Sequence, residues 1–107
     1  MIPRDIGNKV LELSRKFPVL TITGPRQSGK TTLAKMLFPS YTYITLETPD
    51  TRLMAEEDPR NFLKKAGIKV VLDEVQRVPH LFSYIQEITD KSRSTGNFIL
   101  TGSQISS

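Results

Sequence analysis

Apolar positions along this chain alternate between a helical rhythm and short continuous runs. Ile6, Val10, Leu13 and Phe17 recur at helical spacing, with Lys9, Arg15 and Lys16 mostly on the other faces. That pattern predicts an amphipathic amino-terminal helix packed on a core. Residues 19–23, Val-Leu-Thr-Ile-Thr, are β-branched or apolar and predict a buried strand that ends at Gly24. Residues 31–38 predict a helix stopped by Pro39. Residues 43–46 predict a second strand, ended by Glu47 and Pro49. Asp50 is placed to cap a helix over 51–57, and a second short helix over 60–66 ends at Gly67. A strand closing on Asp73 occupies 68–73, a helix over 79–88 buries Phe82, Ile85 and Ile88, and a last strand begins at Asn97. His80, in the first turn of that helix, reads as a surface residue. Strands alternating with helices call for an α/β fold, with helices on both faces of a parallel sheet joined by right-handed crossovers. In such a sheet a site forms at the carboxyl rim of the strands.

The segment between the first strand and the second helix carries the chemistry. Gly24, Pro25, Arg26, Gln27, Ser28, Gly29, Lys30 and Thr31 spell a complete G-x-x-x-x-G-K-[ST] phosphate loop. Gly24 and Gly29 let the backbone turn tightly, so that successive N–H groups face inward around phosphate oxygens. The helix that follows directs its positive amino end at the same place. Lys30 is expected to reach the β and γ phosphates, and the Thr31 hydroxyl to ligate Mg²⁺. Thr32 closes the binding string and falls on the helix surface.

A second constellation complements the first. The run Val70-Val71-Leu72 closes on the adjacent carboxylates Asp73 and Glu74. Alone, such a pair also suits a strand-terminating turn. Beside a phosphate loop, Asp73 is the candidate partner of the Mg²⁺ held by Thr31. Neighbouring residues on a strand face opposite sides, so Glu74 takes a different role. It is the candidate general base for the water that attacks the γ phosphate, which implies hydrolysis rather than transfer to an acceptor. The strand over 97–104 ends in small polar residues; Thr101 is the first candidate for a catalytic contact there, with Ser103 and Gln104 behind it. A kinase would need a lid arginine cluster and an acceptor pocket, and Glu74 directly after Asp73 argues against it.

Composition narrows the partners. The formal charge is +4 and the pI near 9.6, which permits a nucleic-acid partner without requiring one. Aromatic residues are few and are not interleaved with a basic tract, so the signature of a single-strand stacking platform is absent. There is no cysteine, which agrees with a reducing compartment and makes cytoplasm the default. No stretch approaches the ~20 apolar residues that span a bilayer. A length of 107 residues allows one domain, 1–107. No Asn-Lys-x-Asp string of the guanine-reading kind occurs, which favours ATP over GTP.

Three strings together, Gly-Pro-Arg-Gln-Ser-Gly-Lys-Thr-Thr-Leu at 24–33, Leu-Asp-Glu-Val-Gln-Arg-Val-Pro at 72–79 and Phe-Ile-Leu-Thr-Gly-Ser-Gln at 98–104, resemble prokaryotic AAA-type ATPases that carry an uncharacterised second domain. The resemblance extends to the opening Ile-Pro-Arg. It makes 24–31 a Walker A motif, 68–74 a Walker B motif and 97–104 a sensor strand, and it implies a sheet of order 5-1-4-3-2. Strands 1-4-3-2 are then present and the fifth is expected to be missing, as in an amino-terminal fragment of a longer protein. The strand before the phosphate loop becomes a sheet edge, and a homo-oligomer formed by edge pairing or AAA-type assembly is the expectation. Arg26, Arg77 and Arg93 are candidate phosphate or inter-subunit contacts. Two functions follow from the resemblance. One is Mg-dependent ATP binding and hydrolysis coupled to an attached or partner domain, and the other is a truncated module that holds ATP or ADP with negligible turnover.

Overall fold

The computed structural model describes residues 4–103. Strands β1 (Val19–Gly24), β2 (Thr42–Thr45), β3 (Val70–Asp73) and β4 (Phe98–Ser103) form one parallel sheet in the order β1-β4-β3-β2. The α/β class and this strand order are those expected. Helices α1 (Arg4–Ser14), α2 (Lys30–Leu37), α3 (Pro49–Glu57), α4 (Pro59–Ala66) and α5 (Leu81–Asp90) complete the fold, with a 3₁₀ turn at Val75–Arg77.

Side chains of a strand alternate between faces, so β3 and β4 divide theirs between two cores. Val70, Leu72, Phe98 and Leu100 pack with Ala55 of α3, Phe62 and Leu63 of α4, and Leu81 and Ile85 of α5. Val71 and Ile99 face the other way, onto Val10 of α1 and Leu33 and Ala34 of α2. The continuous apolar runs in β3 and β4 are what a parallel strand covered on both faces requires. β1 differs from the buried strand its sequence suggests. It is half-buried, with Thr21 and Thr23 exposed, because β4 is its only strand neighbour among the described residues.

Several boundaries depart from the pattern for local reasons. β3 begins at Val70, since Ile68 is exposed and Lys69 has φ 59, a left-handed backbone that does not fit a strand. Asp50 lies inside α3 and does not cap it; Pro49 takes the first helical position, where its fixed φ and missing N–H cost nothing, and Thr48 is the cap residue. Asp58 is the carboxylate that caps, accepting from the Asn61 N–H at the head of α4. Phe38, expected to be helical, is the buried cap residue after α2. In α1 the buried stripe is Gly7, Val10 and Ser14, so Ile6 is exposed, and Phe17, expected on the same stripe, is exposed in the segment after the helix ends. α5 starts at Leu81 and turns Leu81 and Ile85 inward, which leaves Phe82 outside. Gln104 and the opening Ile2 and Pro3 lie outside the described residues. Among the described residues no helix is long and apolar enough to cross a membrane.

Candidate nucleotide site

The strand register assembles the site. Gly24 stands beside Ser103, Thr45 beside Asp73, and Leu72 beside Leu100, so residues far apart in sequence meet at one rim. Between β1 and α2 the loop takes left-handed backbone at Gln27 (φ 61) and Gly29 (φ 89). Such turns aim backbone N–H groups into one concavity. A Cβ on Gly24 would lie 3.0 Å from Ser28 Oγ, so a larger residue there would require Ser28 to shift. The result is a hollow of about 430 Å³, walled by residues 26–32 together with Glu47, Asp73, Glu74 and Ser103. A slightly larger apolar groove of about 480 Å³, between β2, α3 and α4, carries none of the motif residues.

Lys30 is only 6% exposed, and its ammonium lies at the base of this hollow. Nζ donates to the Pro25 carbonyl oxygen and to Ser103 Oγ, each at 3.2 Å, and stands 3.8 Å from Glu74 Oε2. Asp73 is equally buried and accepts three hydroxyls: Thr31 at 2.7 Å and Thr101 at 2.6 Å on Oδ1, and Thr45 at 2.8 Å on Oδ2. Burial alone would raise the Asp73 pKa, but the hydroxyls of Thr101, Thr31, Thr45 and Tyr43 outweigh it and hold the carboxyl below its ordinary value. Burial, and then the Asp73 carboxylate, push the Tyr43 phenol up to about 12. Asp73 is therefore ionised at neutral pH, and its side of the hollow is negative.

Thr101 does not reach the hollow. Its hydroxyl donates to Asp73 and accepts from the Glu74 N–H at 3.3 Å, so it braces both carboxylate residues from beneath. Ser103 is the β4 hydroxyl at the cavity, donating to Glu74 Oε1 at 3.0 Å. Arg26 and Arg77 both donate to Glu47 Oε1, at 3.2 and 3.1 Å, across the mouth. Arg93 precedes β4 and lies at the opposite end of the sheet. Thr45, Tyr43, Glu47 and Gln76 were not legible as site residues. For Thr45 a signal existed, because placing β2 beside β3 aligns the last residue of one strand with Asp73.

Because the Thr101 hydroxyl is the closest donor to Asp73, Thr101→Val tests this bracing. The carboxyl's lowered pKa means that its contribution to stability is present above the ordinary value of 3.8 and is lost as pH falls through the lower folded value. Removing a donor moves the folded value back towards 3.8, so less of the variant's stability is acid-labile. Urea titrations should show Thr101→Val less stable by about 2 kcal/mol at pH 7 and losing less than the parent between pH 5 and 2. Identical losses on acidification in both chains would refute the bracing.

A backbone cradle, a buried ammonium and an ionised carboxylate at the carboxyl rim of a parallel sheet define a P-loop nucleotide-binding domain. Residues 16–107 match the family model described as an AAA domain. An uncharacterised protein of Mycobacterium bovis and another of Mycobacterium tuberculosis are each 32% identical over 104 residues, which cover 94% of this chain. The chain belongs to the AAA domain family of P-loop ATPases. It spans 23% of the length of these two relatives.

Proposed function

We propose that this domain binds Mg-ATP in the hollow and hydrolyses it, and that the nucleotide cycle drives a conformational change in an attached or partner domain. The observation that carries this reading is the convergence of Lys30 and Thr31 with Asp73 and Glu74, from two segments far apart in sequence, on one cavity. The donor set also fits a divalent cation. Three carboxylates, Glu47, Asp73 and Glu74, wall a cavity whose loop invites an anion, so a bare triphosphate would meet negative charge. Thr31 Oγ1 and Asp73, already 2.7 Å apart, are the residues that would hold Mg²⁺. When bound, the ion supplies charge neutralisation on the phosphate oxygens.

The chain's own groups then divide the work. The loop N–H groups and Lys30 bind and orient the triphosphate, with Lys30 leaving Glu74 for the phosphates. Glu74 accepts the proton of a water whose oxygen bonds to the γ phosphorus while the bond to the bridging oxygen breaks, giving ADP and phosphate. Thr101 and Thr45 keep Asp73 oriented. A second reading, nucleotide holding with negligible turnover, draws on one observation: in the resting site Glu74 is engaged by Lys30, Ser103 and Gln76 together.

A melting series decides whether the hollow takes the ligand. Saturation to a hundred times Kd adds about 2.7 kcal/mol to stability, which for a chain of this size raises Tm by roughly 10 °C. Mg-ATP should do this and ATP with chelator should do markedly less. An unchanged Tm at millimolar Mg-ATP would end the proposal, and phosphate release from the same samples separates hydrolysis from holding.

A further inference from the structure

Gln76 belongs to neither the phosphate loop nor the carboxylate pair, yet it makes one of the shortest polar contacts at the rim. It lies in the 3₁₀ turn that follows Glu74, and its Nε2 donates to Glu74 Oε1 at 2.7 Å. Its own Oε1 is buried and unpartnered. That oxygen is tucked against β4, where a Cβ on Gly102 would approach it to 2.8 Å. Chemistry decides the orientation of the amide. Turned over, it would set a carbonyl oxygen against a carboxylate oxygen, two acceptors with no hydrogen between them. A half-buried amide whose buried oxygen is left unsatisfied is not selected by packing alone, so the donor contact with Glu74 is the interaction that accounts for its placement.

Glu74 itself is held in two parts. Its backbone adopts φ 56 and ψ 47, a strained conformation for a residue with a Cβ, and its N–H is held by Thr101. The side chain beyond that anchor is free to rotate unless something fixes it. Gln76 holds Oε1, the Ser103 hydroxyl sits at 3.0 Å from Oε1 and 3.3 Å from Oε2, and the Lys30 ammonium faces Oε2. A phosphate that draws Lys30 away therefore leaves Oε2 with only the longer Ser103 contact at 3.3 Å, while Oε1 stays engaged by Gln76 and by Ser103 at 3.0 Å.

We propose that Gln76 is a positioning residue that pins Oε1 of Glu74 so that Oε2 is the oxygen presented to the attacking water, with Gly102 supplying the space in which the amide is held. This rests on Glu74 acting as the base. The cost of losing the contact falls on turnover and not on nucleotide affinity, because Gln76 does not wall the hollow.

The test uses Gln76→Met, which keeps the length of the side chain and removes the donor, Gly102→Ala, which displaces the amide, and the double variant. In the nucleotide-free chain, NMR of the Gln76 side-chain amide should show protons protected from exchange, with signals that move in both Glu74→Gln and Gly102→Ala. Mg-ATP Kd should stay within about twofold in all variants. Phosphate release should fall about tenfold in each single variant, and no further in the double variant, since both changes break one contact. An unprotected Gln76 amide that ignores Glu74→Gln would overturn the proposal without any need for turnover. So would wild-type turnover in Gln76→Met, or a full additional loss in the double variant. Glu74→Gln separates the two levels: if it retains wild-type phosphate release the base assignment fails, whereas if it loses release and Gln76→Met does not, only the positioning role fails.

Discussion

Lys30→Ala is expected to weaken Mg-ATP binding by a hundredfold or more and so to remove the nucleotide-dependent rise in Tm. The ammonium is 6% exposed and lies in the cradle, so what it gives a phosphate is barely screened by solvent. Truncating one partner of a buried charge pair costs about 2–5 kcal/mol, and each 1.4 kcal/mol is tenfold in Kd. The resting contacts of Lys30 work against this gain, because the ammonium must leave Ser103 and the neighbourhood of Glu74 to reach the ligand. Those contacts involve one neutral hydroxyl and a carboxylate at 3.8 Å, weaker than a set of charged phosphate oxygens at hydrogen-bond distance. Isothermal titration with Mg-ATP measures the change directly. The variant's own Tm without nucleotide is the control for folding, since removing Lys30 leaves Glu74 without its cation. A Kd within threefold of the parent, in a variant that is folded, would place the triphosphate elsewhere.

Glu74→Gln should separate binding from chemistry. A positioned general base contributes roughly 10²–10⁴ in rate, and glutamine keeps the shape and the hydrogen-bonding capacity of the side chain while it cannot take the proton. Phosphate release should therefore fall by at least a hundredfold. Mg-ATP affinity should be equal to that of the parent or tighter, because the substitution also removes the carboxylate that competes with phosphate for Lys30 in the resting site. Loss of binding equal to that of Lys30→Ala would mean that Glu74 is structural. Release that appears only after an acceptor is added would point to phosphoryl transfer to a substrate.

The two variants probe features of unequal legibility. The phosphate loop is a contiguous string whose chemistry is local: two glycines, a lysine and a threonine at set spacing suffice to form a cradle at a helix head, and the structure has this arrangement at 24–31. The apolar runs before Asp73 and Thr101 marked β3 and β4 because a parallel strand covered by helices on both faces has to be apolar nearly throughout, whereas β1, read from 19–23 in the same way, is only half-buried. Boundaries were less legible. Lys69 and Asp50 show why, since the first adopts a left-handed backbone that side-chain hydropathy does not report, and the second competes with a proline next to it for the start of α3. Which residues of an amphipathic helix face inward was also misplaced by a step in α1 and α5, where Ile6 and Phe82 are exposed, and α1 ends before it reaches Phe17. Helical spacing defines a stripe, but the direction of that stripe depends on what packs against it.

The order of residues along this chain was enough to determine a phosphate-binding loop, a carboxylate pair at the end of an apolar strand, and the alternation of helix and strand that makes the sheet parallel. These depend on interactions within a few residues: backbone freedom at glycine, period and β-branching. Tertiary structure alone decided the division of labour at the rim. It put Thr101 beneath Asp73 and not in the hollow, brought Ser103 to Lys30 and Glu74, set Thr45 against Asp73 through the β2–β3 register, and wedged Gln76 between Glu74 and Gly102. Each of those contacts joins different segments of the fold or turns on a rotamer, and its energy depends on distances of a few tenths of an ångström that no local pattern encodes.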